Sequence, residues 1–165
     1  MIFKDEHGKE YEVDAATINV AWRISVYGVV RNESGQALMI KSHNNMQWQF
    51  PGGGVDIDEP VDEALKREFL EEVGYKIEVH NKKLLHVNEQ NFYGGGDRYF
   101  HSLQLFFEVT LADDKQYEEF IETGEDMDYG DIEWKKIESL EEKDIQHTHV
   151  PIVTLLTDRI PDKPE

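Results

Sequence analysis

Short runs of apolar and β-branched residues, separated by turn-forming residues, recur along the chain and predict β-strands. A turn at residues 32–35 (Asn-Glu-Ser-Gly) and a glycine-rich tip at residues 91–97 each join two such runs, which is typical of hairpins. A further short hairpin is predicted around His7 and Gly8. The predicted strands cover residues 24–30, 36–41, 48–50, 83–89, 100–111 and 132–137.

Helical periodicity occurs in two segments and predicts two helices. The first runs from about Pro60 to Val73, because proline suits a first helical turn and Gly74 suits the C-terminal cap. The second lies near residues 151–159. Its inward-facing residues are expected to be Val150, Val153 and Leu155 or Leu156. Strands and helices in this order favour an α/β sandwich with a mixed sheet over a doubly wound parallel sheet, in a single domain over residues 1–165.

The first predicted helix carries carboxylates on its apolar side. At about 100° per residue, Glu68 and Glu72 fall inside the apolar stripe and Glu71 lies at its edge. Like charges four residues apart destabilise a helix by roughly a few tenths of a kcal/mol, and burial increases that cost. Protonation, pairing with Arg67 or binding of a hard cation such as Mg²⁺ would relieve the repulsion. The stripe consists of Val61, Ala64, Leu65, Phe69 and Val73.

Helix geometry alone therefore leaves two interpretations open, a metal site and a salt-bridged surface helix. The three glycines that precede the helix favour the metal site. A glycine turn lets the chain bend sharply and lets a backbone carbonyl approach a bound ion.

Composition restricts the classes of partner. The chain has 35 acidic and 17 basic residues, a formal net charge of −18, which argues against a nucleic-acid polymer or an anionic membrane as the main partner. It contains no cysteine, which excludes disulfides, thiolate metal sites and a cysteine nucleophile. The first residues lack the pattern of a signal peptide and no apolar run is long enough for a membrane span, so we expect a cytoplasmic protein.

Residues 53–75 resemble the signature of the Nudix hydrolases, G-x5-E-x7-R-E-U-x-E-E-x-G-U, in which U is a bulky apolar residue. The match begins at Gly53, and every fixed position is met. Tyr75 departs mildly, since an aliphatic residue is usual at that position. The segments WQFPGG before the signature and IEWKKIESL near the end extend the resemblance to about residues 20–160.

The resemblance implies an α/β/α sandwich in which the signature forms a loop–helix–loop. It also implies hydrolysis of a nucleoside diphosphate linked to another moiety, with Mg²⁺ as cofactor and Mn²⁺ as a substitute. Arg67 would orient carboxylates and Glu59 would brace the loop against the helix. The metal ligands that the resemblance implies are Glu68, Glu71, Glu72 and a backbone carbonyl of Gly52 or Gly53.

The general base differs among members of this family. In some it is the first glutamate of the Arg-Glu pair, here Glu68, and in others an acid from a distal loop. We favour Glu68, and we expect most distal acids to belong to the solvated surface. The distal candidates are Glu125, Asp126, Asp128, Asp131 and Glu133.

Candidate phosphate contacts are Arg23 and Lys41 beside the first strands and Arg98 after the glycine-rich tip, although a surface ion pair is an alternative for each. Tyr93 stands where family members that act on diadenosine polyphosphates carry a tyrosine. Gln90 replaces the proline associated with ADP-ribose. A MutT-like enzyme acting on nucleoside triphosphates, or a nucleotide-sugar hydrolase, remains the default.

Two further functions stay open at this point. The chain could be a Nudix-fold binding or regulatory module that has lost catalysis, or an acidic interaction protein with an accidental match. Intact Glu68, Glu71 and Glu72 favour the enzyme. Many members of the family are dimers, so the resemblance allows a homodimer. His147 and His149, near the start of the second helix, are expected on a surface loop rather than at a metal site.

Overall fold

The computed structural model describes residues 1–43, 45–79, 83–122 and 129–158. The strands are β1 (Ile2–Lys4), β2 (Glu10–Glu12), β3 (Val20–Val29), β4 (Ala37–Ser42), β5 (Trp48–Gln49), β6 (Gly52–Gly54), β7 (Tyr75–Glu78), β8 (Leu84–Tyr93), β9 (Tyr99–Glu108), β10 (Thr110–Gln116) and β11 (Tyr129–Lys135). The helices are α1 (Val61–Val73) and α2 (Val150–Asp158), with short 3₁₀ segments at Glu118–Phe120, Ile137–Ser139 and Glu142–Asp144. Neither α1 nor α2 is long and apolar enough to cross a membrane.

The principal sheet has six strands in the order β2-β1-β8-β9-β3-β6. Strand β9 pairs antiparallel with β8 and parallel with β3, and β6 pairs antiparallel with β3. The predicted mixed sheet is therefore confirmed. A second sheet has the order β11-β4-β5, and β10 pairs with β7 in a third.

The two helices cover opposite faces of the principal sheet. Val26 of β3 packs in one apolar cluster with Phe69 of α1. Phe106 of β9 packs in the other cluster with Ile152 of α2. Because neighbouring strand residues point to opposite faces, each central strand supplies side chains to both clusters. The predicted sandwich of a sheet between helices is confirmed.

Helix α1 matches its prediction. Pro60 precedes the first turn, and Gly74 adopts the left-handed conformation at φ 70° and donates its N–H to Leu70. The helix lies close to β3, since a Cβ atom on Gly28 would be 2.3 Å from the ring of Phe69. This close approach places the carboxylates of α1 against the sheet edge.

Three sequence predictions of strands need correction. The run 100–111 forms two strands, because Val109 donates its N–H to Val29 and the chain then leaves the principal sheet to pair with β7. The glycines 52–54 do not simply end a strand but form β6. Strand β11 ends at Lys135, and Ile137 begins a 3₁₀ segment. The hairpin predicted around His7 and Gly8 is confirmed as β1–β2.

Candidate active site

Arg67 lies at the centre of a network that joins the loop before α1 to the helix itself. Its Nε and Nη2 donate to the two carboxylate oxygens of Glu59, at 2.9 Å each. Its Nη1 donates to Glu68 at 2.8 Å and to Glu71 at 3.0 Å. Its Nη2 also donates to the carbonyl of Gly54 at 3.2 Å. The structure thus brings together four residues of the segment 53–75 around the guanidinium of Arg67.

The ionisation of these groups follows from their contacts and burial. The hydrogen bonds to Glu59 raise the pKa of Arg67, and the same contact lowers the pKa of Glu59. Burial raises the pKa of Glu68, although Arg67 opposes the shift. A raised pKa makes the Glu68 carboxylate a stronger base than an exposed glutamate.

Glycines on β6 bring two more carboxylates against the sheet. Gly52 donates its N–H to Glu72 Oε2 at 2.7 Å. Its φ of 141° and its closeness to the carbonyl of Val26, 2.0 Å from where a Cβ atom would stand, require glycine. At Gly53 a Cβ atom would lie 2.6 Å from Oε2 of Glu68. The missing side chain of Gly53 therefore makes room for the Glu68 carboxylate, and that of Gly52 for the backbone of β3.

The chemistry of this donor set suits a hard divalent cation. The side chains are carboxylates, of which Glu72 is buried and Glu68 is 14% exposed. The carbonyl of Gly54 on β6 accepts a hydrogen bond from the Arg67 that binds Glu68. Within residues 1–43, 45–79, 83–122 and 129–158, no three His, Asp or Glu side chains are arranged as a ready-made metal site. Glu68 and Glu71 converge on Arg67 Nη1, which serves as their counter-ion.

Gly53→Ala is expected to reduce activity at least about tenfold with little loss of stability. The added methyl group must displace the Glu68 carboxylate, which is the end of a side chain and moves at low cost. The measurements are the turnover number and the melting temperature. Gly54→Ala is the matched control, because its Cβ atom would have no heavy atom nearer than 3.7 Å. Equal activity of the two variants would contradict the placement of Glu68.

A polar cleft runs from β6 across the principal sheet. A cavity of about 180 Å³ adjoins Gly52 and Gly53, and a second cavity of about 460 Å³ lies beyond it. Arg23 and Phe92 line both cavities, so the two are neighbours. Glu6, from the β1–β2 turn, also lines both. The neutral residues that line the first cavity were not predicted as site residues from the sequence; they include Ser25, Tyr27, Gln49, Gln90, Ser102, Gln104, Gln146 and Thr148.

Three of the four predicted substrate contacts lie along this cleft. Arg23 stacks over the ring of Phe100, 5.6 Å from its centroid. Arg98 and Tyr93 line the larger cavity with Arg23. Arg98 donates to the carbonyls of Gly94 and Gly95, so part of its guanidinium is already engaged. These contacts with substrate stay predictions.

Lys41 lies elsewhere, on β4 in the three-stranded sheet. Its ammonium is 5.4 Å from the centroid of the Trp48 ring, and Lys135 is 4.4 Å from the same ring. Lys41 is not among the described residues that line either cavity of the cleft. The apolar run 36–41 correctly predicted that Lys41 lies on a strand. The sequence did not indicate which sheet that strand joins.

The distal acids divide into two groups. Asp131 and Glu133 lie exposed on β11, and Glu133 pairs with Lys135 at 3.1 Å. This matches the expected solvated surface for those two residues. The remaining candidates, Glu125, Asp126 and Asp128, lie outside the described residues.

The expected surface position is wrong for His149, whereas His147 is half-buried in the turn before α2. His149 is fully buried, and its Nδ1 accepts the N–H of Phe50 at 3.1 Å. Its ring packs against those of Tyr27 and Phe106. The sequence did contain a signal for this burial, because His149 continues the inward face of α2 at three and four residues before Ile152 and Val153.

The stability of the protein is expected to fall with acid because of His149. Burial lowers the pKa of His149 to about 3, against a usual value of about 6.5. Between these pH values the imidazole is protonated in the unfolded chain but neutral in the folded protein. The free energy of unfolding therefore decreases as pH falls below about 6.5, by up to about 1.4 kcal/mol per pH unit. Denaturant titrations at pH 7 and pH 5 measure it. His149→Asn, which does not titrate, should show a smaller decrease, and an identical decrease would contradict the assignment.

Comparison with known proteins gives a family match over most of the chain. Residues 21–156 match the family model described as the NUDIX domain. An RNA pyrophosphohydrolase of Hamiltonella defensa is 41% identical over 56 residues, covering 34% of this chain and 34% of that protein. A putative 8-oxo-dGTP diphosphatase of Bacillus subtilis is 39% identical over 72 residues, covering 40% of this chain and 48% of that protein. The chain thus spans about a third to a half of the length of these relatives.

Solved structures agree on the fold. A NUDIX hydrolase from Nitrosomonas europaea superposes with a TM-score of 0.61 at 15% identity, covering 99% of this chain and 89% of that chain. A MutT protein from Methanosarcina mazei Go1 superposes with a TM-score of 0.56 at 21% identity, covering 89% of this chain and 100% of that chain. At these identities the likeness concerns the fold alone.

Proposed function

The chain belongs to the NUDIX family, and we propose that it is a hydrolase that cleaves a phosphoanhydride bond in a nucleoside diphosphate linked to another moiety. The observation that carries the proposal is the Glu68 carboxylate, held by Arg67 against Gly53 at the edge of a cleft that contains Arg23. Relatives named as a pyrophosphohydrolase and a diphosphatase support it.

The proposed cofactor is Mg²⁺, with Mn²⁺ as a substitute. Glu68, Glu71 and Glu72 would hold it, together with a backbone carbonyl of Gly52 or Gly53. When bound, such an ion neutralises phosphate charge and lowers the pKa of a coordinated water. Arg67 offsets only part of the negative charge of the carboxylates around it, which favours a divalent cation at this place.

The proposed chemistry assigns a different task to each side chain. Glu68 accepts a proton from the attacking water, whose oxygen forms a bond to phosphorus as the bridging oxygen leaves with the other product. Arg67 keeps the carboxylates in place, and Glu59 keeps Arg67 in place through two hydrogen bonds. Arg23 in the cleft contacts the phosphate oxygens.

The proposed substrate is a small nucleotide-type molecule, such as a nucleoside triphosphate, a nucleotide sugar or a dinucleoside polyphosphate. The net charge of −18 disfavours a nucleic-acid polymer as the main partner. The larger cavity, of about 460 Å³, has the volume of a typical small-molecule site.

A substrate panel tests the proposal. The protein is incubated with nucleoside triphosphates, nucleotide sugars and dinucleoside polyphosphates in Mg²⁺ or Mn²⁺, and released phosphate or pyrophosphate is measured. Metal-dependent turnover of at least one compound is expected. If no compound is hydrolysed with either ion, the chain is instead a NUDIX-fold binding or regulatory module, and the enzymatic proposal is overturned.

A further inference from the structure

Two polar groups in the smaller cavity are buried without a hydrogen-bond partner. Thr148 is 2% exposed, and within the described part of the chain its Oγ1 meets no donor or acceptor. Gln146 Oε1 is likewise buried and unpartnered among those residues. Both residues line the cavity beside Gly52 and Gly53. An unsatisfied buried polar group costs about 1–3 kcal/mol, so such groups normally occur where a ligand or water completes them.

Two ionisable side chains close to Thr148, those of Tyr27 and His149, are uncharged at neutral pH. Burial raises the pKa of Tyr27 to about 12 and lowers that of His149 to about 3, so neither ionises near pH 7. Asn88 donates both to Gln104 Oε1, at 2.9 Å, and to the carbonyl of Thr148, at 3.2 Å. These contacts hold the wall in one arrangement before any ligand arrives.

The lining of the cavity combines charged, neutral polar and aromatic side chains. Arg23, Gly52 and Gly53 line the cavity where the phosphates are proposed to bind, and the two glycines adjoin carboxylates of α1. Apart from Arg23 and Glu6, the polar side chains that line this cavity are neutral. The aromatic side chain of Phe92 also lines the cavity. A flat, uncharged ring with polar edges matches this combination of an aromatic surface and neutral hydrogen-bonding groups.

The β1–β2 hairpin completes the pocket, although it lies outside the matched residues 21–156. Its Glu6 lines the cavity, and its carbonyl lies 3.3 Å from Nδ1 of His147. The hairpin is anchored by Phe3, which is fully buried and packs edge-on against Tyr99. The segment that contains Thr148 is therefore fixed by two contacts, one from Asn88 to the Thr148 carbonyl and one between His147 and Glu6.

We propose that Gln146 and Thr148 recognise the nucleobase of the substrate, through hydrogen bonds to its polar edge. An amide has both donors and an acceptor, and a hydroxyl can do either, so together they can match adjacent donor and acceptor atoms on a base. This inference rests on the proposed function for the identity of the ligand. It assigns specificity to residues outside the signature.

Binding measurements separate base recognition from catalysis. Isothermal titration calorimetry with each nucleoside 5′-monophosphate and with ribose 5-phosphate compares ligands that differ only in the base. The wild-type protein should bind at least one monophosphate about tenfold or more tightly than ribose 5-phosphate. Thr148→Val and Gln146→Leu should each lower the affinity for that monophosphate about tenfold and leave the affinity for ribose 5-phosphate unchanged.

Thr154→Val is the matched control, since its hydroxyl bonds to the carbonyl of Val150 on the exposed side of α2. It should bind both ligands as the wild type does. Without ligand, Thr148→Val should melt at or above the wild-type temperature, because it removes an unsatisfied buried hydroxyl.

Equal affinity of the wild type for monophosphates and ribose 5-phosphate would overturn the inference. The inference would also be overturned if the Thr148 and Gln146 variants lost affinity for the monophosphate and for ribose 5-phosphate to the same extent. If the base-dependent loss occurs but the substrate panel shows no hydrolysis, base recognition stands and the proposed catalytic function fails. The two proposals therefore fail separately.

Discussion

Glu72→Gln is expected to reduce turnover by at least about 100-fold while leaving the fold intact, if Glu72 is a metal ligand. The amide oxygen of glutamine can still accept the N–H of Gly52, which Glu72 accepts at 2.7 Å, so the contact between α1 and β6 survives. What is lost is a negative charge at a buried position facing the proposed cation. The measurements are the turnover number across Mg²⁺ concentrations and the melting temperature.

Glu63→Gln provides the control for this variant. Glu63 lies on the same helix but is exposed and pairs only with Lys66 among the contacts described, at 2.9 Å. Its activity and its requirement for Mg²⁺ should match the wild type. Near-normal turnover of Glu72→Gln would show that Glu72 is not a metal ligand and that its role is confined to holding β6.

Arg67→Lys is expected to reduce activity by about 10- to 100-fold and to destabilise the protein. Lysine keeps the positive charge but lacks the planar fork that reaches both oxygens of Glu59 and also Glu68 and Glu71. At least one of these partly buried carboxylates loses its partner, at a cost of about 1–3 kcal/mol. Denaturant titration measures the stability, and initial rates with the preferred substrate measure the activity.

Lys66→Gln separates this effect from a general loss of positive charge on α1. Lys66 pairs with exposed Glu63 three residues away, so its replacement should change stability by no more than about 0.5 kcal/mol. Both variants lose or alter a cation on the same turn of the helix. If they behave alike, the network around Arg67 contributes nothing beyond ordinary surface electrostatics.

The network also explains how the apolar stripe of α1 tolerates carboxylates. Arg67 pairs directly with Glu59, Glu68 and Glu71, and Glu72 binds a backbone N–H instead. A single cation cannot neutralise all of these groups, and burial raises the pKa of Glu68 in spite of it. The excess negative charge of these carboxylates destabilises the folded protein, and the same charge favours binding of a divalent cation beside α1.

The amino-acid sequence by itself determined the elements that depend on neighbours along the chain. The bounds of α1 followed from Pro60 and Gly74, and the position of Glu68 and Glu72 on its buried side followed from the 3.6-residue period. The spacing from Gly53 to Tyr75 identified the family. These features are local, because a helix satisfies its backbone hydrogen bonds within a few residues.

Tertiary structure decided which distant residues meet. Gly53 faces Glu68 because β6 pairs with β3, while Lys41 lies on another sheet although its segment was correctly predicted as a strand. The burial of Thr148 and His149 likewise depends on strands and a hairpin far away in sequence. Strand order, register and burial arise from pairing between remote segments, for which alternation of polar and apolar residues indicates a face but never a partner.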